Sequence, residues 1–175
     1  MTARTPYWIT RPERPADTAA VRRINLAAFE TPAEADLVDA VRQDPAWLPE
    51  FSYVAETPDG EPIAYALLTR CLIGEPETPA LALAPCAALP EYQGQGAGSA
   101  VIRAVLPAAR AAGERTVIVL GHPTYYPRFG FTPCSRFGIT PPAGQDWPDL
   151  AFLALSLDGG PLPRGEVHYA KAFGV

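Results

Sequence analysis

Glu91-Tyr92-Gln93-Gly94-Gln95-Gly96-Ala97-Gly98-Ser99 stands between an apolar run that ends at Leu89 and a segment with helical spacing. Three glycines in five residues let the backbone turn sharply and come close to a ligand with no Cβ in the way. A helix that opens there presents free N–H groups and the positive end of its dipole, so the turn suits an anion, phosphate above all. Upstream, Leu81 to Leu89 reads as a central strand with Pro85 inside it, and a proline cannot donate to a sheet ladder, so it marks a bulge or a break in pairing. Downstream, Val101, Ile102, Val105 and Ala109 form the buried stripe of a helix that stops at Gly113. Pro107 removes the donor for the Arg103 carbonyl, costs roughly 3 kcal/mol and predicts a kink or a break there. Thr116 to Leu120 is a short apolar run suited to a strand covered on both faces, and a compact helical turn from Pro123 to Phe129 follows.

The spacing excludes one phosphate-binding alternative and disfavours a second. A P-loop ends in Gly-Lys-Ser/Thr, whereas Gly98 is followed by Ser99 and Ala100 with no lysine. A dinucleotide turn is Gly-x-Gly-x-x-Gly with an acidic residue after the next strand; here the glycines are spaced by two, Ser99 takes the third position, and Glu114 precedes that strand. What remains is Gln-x-x-Gly-x-Gly from Gln93 to Gly98, with Tyr126-Pro127-Arg128-Phe129-Gly130-Phe131 one helix and one strand later.

These two linked motifs closely resemble the acyl-CoA-binding turn and the Tyr-x-x-x-Gly-Phe of the GNAT N-acetyltransferases. The run from Leu120 to Phe131 looks like a bacterial subgroup of predicted acetyltransferases, the YhbS-like proteins. The likeness is carried by residues 80 to 133 and elsewhere by the order of elements. It implies an α/β fold of the α+β kind, a mixed and mostly antiparallel central sheet flanked by helices, with a splayed central strand pair. It also implies acetyl-CoA as co-substrate, held at the pyrophosphate by the turn Gln93, Gly94, Gln95, Gly96, Ala97, Gly98 and Ser99. The pantetheine arm would lie along Ala87, Ala88 and Leu89 like an added strand.

Length and composition agree with this reading. A chain of 175 residues is expected to form a single domain and can bury about 70% of its unfolded surface. The net charge of −5 leaves no basic footprint for nucleic acid. No apolar run is long enough to span a bilayer and residues 1–20 carry no signal-peptide core, so a cytoplasmic location is expected. Cys71, Cys86 and Cys134 lack the spacing of a zinc site or disulfide scaffold, and His122 and His168 are far apart in sequence, so no metal is expected. The partners expected are a small-molecule or peptide amine and a second copy of the chain as a homodimer, with neither nucleic acid nor membrane.

The rest of the chain supplies elements around the turn. Tyr7 to Thr10 reads as a first strand, and Val21, Ile24 and Ala28 mark a helix on a sheet. Thr31-Pro32 starts a second helix with Leu37, Val38 and Val41 as its stripe. In the resembled family these two helices shape the acceptor pocket. Phe51–Glu56 and Ile63–Thr69 flank hairpin chemistry at Thr57-Pro58-Asp59-Gly60. Gly74 to Pro79 reads as a loop, residues 131–137 and 150–157 as last strands, and 141–148 as the loop joining them.

The chemistry then needs an acid and a base. Tyr126 corresponds to the family's tyrosine, which often protonates the departing thiolate; locally it also suits a packed aromatic, and Tyr125 reads as core. The acceptor amine must lose a proton, to a carboxylate, a histidine or a water chain. Glu34, in a Glu-x-x-Leu-Val pattern like that of the subgroup, fits by position, though a first-turn carboxylate also caps a helix dipole. His122, just past the end of a strand, fits as base or orienter, or as a hydrogen-bonded turn residue. Cys86 lacks the basic neighbours that make a thiolate and reads as a small core residue. The reading from another class is a CoA-binding sensor that has the turn but no turnover, and thioester consumption separates the two.

Overall fold

The computed structural model describes residues 8–175, and the Tyr7 start expected for the first strand lies outside the described residues. Strand β1 (Ile9–Pro12) is followed by helices α1 (Thr18–Ala28) and α2 (Ala33–Arg42), and then by β2 (Ser52–Glu56), β3 (Pro62–Ile73) and β4 (Thr78–Ala88). Helix α3 (Ala97–Ala111) leads to β5 (Thr116–Leu120). Four short strands complete the described chain: β6 (Thr132–Pro133), β7 (Ile139–Thr140), β8 (Phe152–Ser156) and β9 (Gly165–His168). The sheet runs β1-β2-β3-β4-β5-β8-β6, with β9 paired to the end of β3 and β7 to β9. Among the described strands only β4–β5 and β7–β9 are parallel, so the sheet is mixed and mostly antiparallel, flanked by helices, as expected.

The long β3 explains how the sheet is covered. Ile63 to Thr69 are buried without a break. Successive side chains of a strand point to opposite faces, so both faces of β3 are covered. The helices do this with the apolar stripes that spacing predicts: Val21 and Ile24 on α1, Val38 and Val41 on α2, and Val101, Ile102, Val105 and Ala109 on α3 are all buried. Asn25, polar by type, is fully buried in α1 and donates to the Val21 carbonyl at 3.0 Å.

Three expectations are corrected. Of the last strand expected over 131–137 only Thr132–Pro133 pairs with β8, and Cys134–Phe137 coils into a short helical turn that buries Cys134. The predicted 74–79 loop is only the four-residue turn between β3 and β4, because β3 runs on to Ile73, β4 begins within the predicted loop at Thr78, and the two pair as far as Ile73↔Thr78. Helix α3 runs unbroken through Pro107. Pro107 and Arg103 both lie on the exposed face, so the Arg103 carbonyl that loses its donor meets water, while the opposite face of the helix stays packed.

Candidate active site

The site grows from a fault in the sheet. Strands β4 and β5 pair only at Leu81↔Val117 and Ala82↔Ile118; beyond these, β4 continues to Ala88 and β5 to Leu120 without cross-pairing, and the sheet opens into a V. Against β3, the pairing passes from Leu68↔Leu83 to Ala66↔Cys86, so β4 carries an extra residue at Ala84-Pro85. This is the bulge expected of Pro85, and it turns β4 away where the V begins.

Beyond β4 the chain makes the glycine turn. Gly94 and Gly96 have φ of +76° and +84°, a region L-residues rarely adopt, and Gly96 caps α3. The Trp8 indole donates to the Gln95 carbonyl at 3.0 Å and meets the Tyr92 ring edge-on at 5.6 Å, bracing the turn from the residue that leads into β1. The Gln93 amide donates back to the Ala88 carbonyl at 3.1 Å, tying the turn to the end of β4. Among the described residues, the N–H groups of Gly94, Gln95 and Gly96 find no acceptor, and those of the first turn of α3 point the same way.

A cavity of about 480 Å³ lies between this turn and the tyrosine segment. It is lined by Cys86, Ala87 and Ala88, by Tyr92, Gln93, Gly94 and Gly96 to Ser99, and by His122, Tyr125, Tyr126 and Arg128. Two expected cofactor residues are not part of the lining. Leu89 is only 5% exposed in the core, with its N–H donating to the Ile63 carbonyl, because the chain turns off the sheet at Pro90. The Gln95 amide folds back onto the Glu91 carbonyl at 2.9 Å.

The Tyr126 ring is wedged against Gly121, where an added Cβ would come within 2.3 Å of it. It meets Phe131 edge-on at 5.9 Å. Burial pushes its hydroxyl well above the ordinary phenol range. Tyr125, read from sequence as core, also lines the cavity and shares a 3.1 Å hydrogen bond with Ser99 on α3. The Arg128 guanidinium lies 4.4 Å over the Tyr125 ring, which places positive charge at the rim. This pairing depends on tertiary contact, and the doubled tyrosine is its only trace in the sequence. Burial pushes the Cys86 thiol up to about 12, so it stays protonated and behaves as a packing residue.

His122 is exposed at the same cavity, and its carbonyl accepts the Tyr125 N–H at 3.1 Å. Glu34 lies elsewhere. It sits in the first turn of α2, in a separate hollow with Leu37 and Phe173, and one of its carboxylate oxygens is buried without a partner among the described residues. A further cavity of about 220 Å³ occupies the other stretch of the V, lined by Ala82 to Ala84, Ile118 to Leu120, Leu37, Trp147, Tyr169, Phe173 and Val175. Among the described residues no group of three His, Cys, Asp or Glu is arranged to hold a metal, and no helix is long and apolar enough to cross a membrane.

Residues 18–131 match the family model described as the acetyltransferase (GNAT) family. The chain is 41% identical over 122 residues to a protein of Escherichia coli named uncharacterized N-acetyltransferase YjhQ, covering 69% of this chain and 67% of that one. The crystal structure of the GNAT family N-acetyltransferase YhbS from Escherichia coli in complex with CoA superimposes with a TM-score of 0.85 at 26% identity, covering 100% of this chain and 96% of that one. A GNAT family acetyltransferase from Brucella melitensis in complex with acetyl-CoA superimposes with a TM-score of 0.75 at 33% identity, covering 95% and 98%.

Proposed function

The chain belongs to the acetyltransferase (GNAT) family, and on that basis we propose that it moves an acetyl group from acetyl-CoA to a primary amine by direct transfer in a ternary complex. The observation that carries this reading is the V between β4 and β5, with the unpaired N–H groups of the glycine turn and the Tyr126 ring facing one cavity. These residues fit the donor. The turn offers an anion cradle with Arg128 at its rim, and β4 from Cys86 to Ala88 offers an open strand edge for the amide groups of the pantetheine arm. The CoA and acetyl-CoA held by the two related structures support the same donor here.

In this reading the amine nitrogen attacks the thioester carbonyl, the N–C bond forms, the C–S bond breaks and the sulfur leaves as thiolate. Tyr126 serves that sulfur. Its raised affinity for its own proton makes it a weaker acid than a thiol, so it acts first as a hydrogen-bond donor to the charge developing on sulfur. His122 receives the amine proton directly or through water, since it shares the cavity with Tyr126. Glu34 lies behind Leu37 and Phe173, which also line the second cavity, and is the alternative to His122 as receiver of that proton, through water. Much of the rate comes from holding the two reactants together.

Calorimetry with Gly96→Asp tests the donor site. Asp is among the few L-residues that adopt a positive φ, so the turn can form while a carboxylate faces the phosphates. CoA affinity should fall at least about tenfold with the circular dichroism spectrum unchanged. Unchanged affinity in a folded variant overturns the assignment.

A further inference from the structure

We propose that the acceptor amine is carried on an aromatic group, an arylalkylamine, whose ring enters the cavity of about 220 Å³ between β4 and β5. This rests on the acetyl-transfer reading above and names the substrate class for it. The first argument is position. On β4 the cavity is lined as far as Ala84 and the donor cavity begins at Cys86; on β5 and beyond, it is lined as far as Leu120 and the donor cavity begins at His122. One residue on each side, Pro85 and Gly121, separates the two. A ring seated in the second cavity therefore points a short arm at the place where the thioester lies.

The second argument is the chemistry of the walls. Leu37, Leu83, Val119 and Leu120 face three aromatic residues, with Trp147 and Tyr169 edge-on at 5.8 Å and Tyr169 and Phe173 tilted at 5.2 Å. Among the described residues no Asp, Glu, Lys, Arg or His is in the lining. A polyamine would bring a second ammonium group among walls that carry no Asp or Glu side chain, Glu34 lying in the neighbouring hollow, and an amino sugar would bring hydroxyls with few partners, both costly when buried. A ring instead displaces water from apolar walls and takes the edge-on packing that they already show. The same surroundings disfavour the ammonium form and so favour the neutral amine that must attack.

Size agrees. An apolar cavity of about 150 Å³ holds one benzene, so this cavity admits a ring with a two-carbon arm.

Thiol release from acetyl-CoA by the full chain tests this with 2-phenylethylamine and tryptamine against spermidine and glucosamine. The two aromatic amines should exceed the others at least about 100-fold in kcat/KM, in line with sites that reject partners leaving buried groups unpaired. Trp147→Ala should raise the KM for 2-phenylethylamine at least about tenfold with CoA affinity unchanged as a sign of an intact fold, and Leu120→Asp, at the exposed mouth of the cavity, should do the same. Direct binding, followed as quenching of tryptophan fluorescence by 2-phenylethylamine, should be lost in Trp147→Ala. Ring binding without acetyl-CoA consumption would leave the cavity assignment standing and overturn the acetyl-transfer reading. Spermidine or glucosamine turned over as well as the aromatic amines, or a Trp147→Ala enzyme with an unchanged KM for 2-phenylethylamine, would overturn the inference.

Discussion

A buried phenol holds its proton more tightly than one in water, and the Tyr126 hydroxyl is pushed up by desolvation with no cation beside it to oppose the effect. The sign fixes what pH should do: a raised value keeps the protonated, donating form present through and beyond pH 10. Any loss of kcat at or below pH 10 therefore belongs to another group, and a Tyr126 limb lies above it. Tyr126→Phe keeps the ring against Phe131 and removes only the donor, so kcat should fall about 10²- to 10⁴-fold while CoA affinity hardly moves. Wild-type kcat in that variant, with chemistry rate-limiting, would remove Tyr126 from the reaction. The ring has a second dependence. Because an added Cβ at Gly121 would sit 2.3 Å from it, Gly121→Ala must push the ring or the turn aside. An error of about 1 Å in a reacting group can cost about 10² in rate, so kcat should fall by that order with the melting temperature lowered only slightly, whereas a wild-type rate would mean that Tyr126 need not sit where it does.

Among the helices and strands, those that carry motifs are legible in the sequence and those held by tertiary contact are not. Residues 116–120 form a strand with the expected bounds, and Leu120, its one exposed residue at 44%, is the one that lines a cavity. Leu37 breaks the α2 stripe for the same reason: it faces the cavities while Ala35 takes a buried place. Strands β7 and β9 carry a single buried residue each, Ile139 and Val167, too few to make a period. Tyr125 is not legible as a cavity residue because its partner, Ser99, lies 26 positions away. Pro107 predicts a break only when its place on the outer face of α3 is left out, since water there replaces the missing donor. Pro107 is exposed and outside both cavities, so Pro107→Ala restores one donor and better propensity at no packing cost and should raise stability by up to about 3 kcal/mol, with activity unchanged. Urea denaturation at neutral pH measures it, and no gain would mean that packing has already absorbed the cost of the proline.

Seen end to end, the sheet is continuous from β1 to β4 and from β5 to β8, but the two halves share only two paired positions before the V opens. The first half needs a firm outer edge, because Trp8, which leads into β1, braces the glycine turn. Charge supplies it. Arg11 on β1 is bidentate to Asp17 at 2.7 and 3.1 Å and reaches Glu56 on β2 at 2.9 Å, while Asp17 also accepts the Arg14 N–H at 2.7 Å. Arg42, at the end of α2, is bound to Glu13, which also accepts the Ser52 hydroxyl at 2.9 Å. The Arg11 guanidinium holds the Asp17 carboxyl below its ordinary 3.8, with the Arg14 N–H adding to the effect. A depressed carboxylate stabilises the fold above its unfolded value and loses that contribution as pH falls through the folded one, so the window lies below about pH 4. Asp17→Asn should therefore cost about 1.5–3 kcal/mol at pH 7, the usual worth of hydrogen bonds to a charged group. The cost should shrink as the wild type is itself protonated. Urea midpoints for the two proteins should stay apart from pH 7 to about pH 5 and converge between about pH 4 and pH 2. Parallel curves over the whole range would mean that the charge on Asp17 contributes nothing and only its shape matters. The bracing should also be felt at a distance, since a loosened β1 releases Trp8 from Gln95: Asp17→Asn, although outside the cavity, should weaken CoA binding modestly at pH 7.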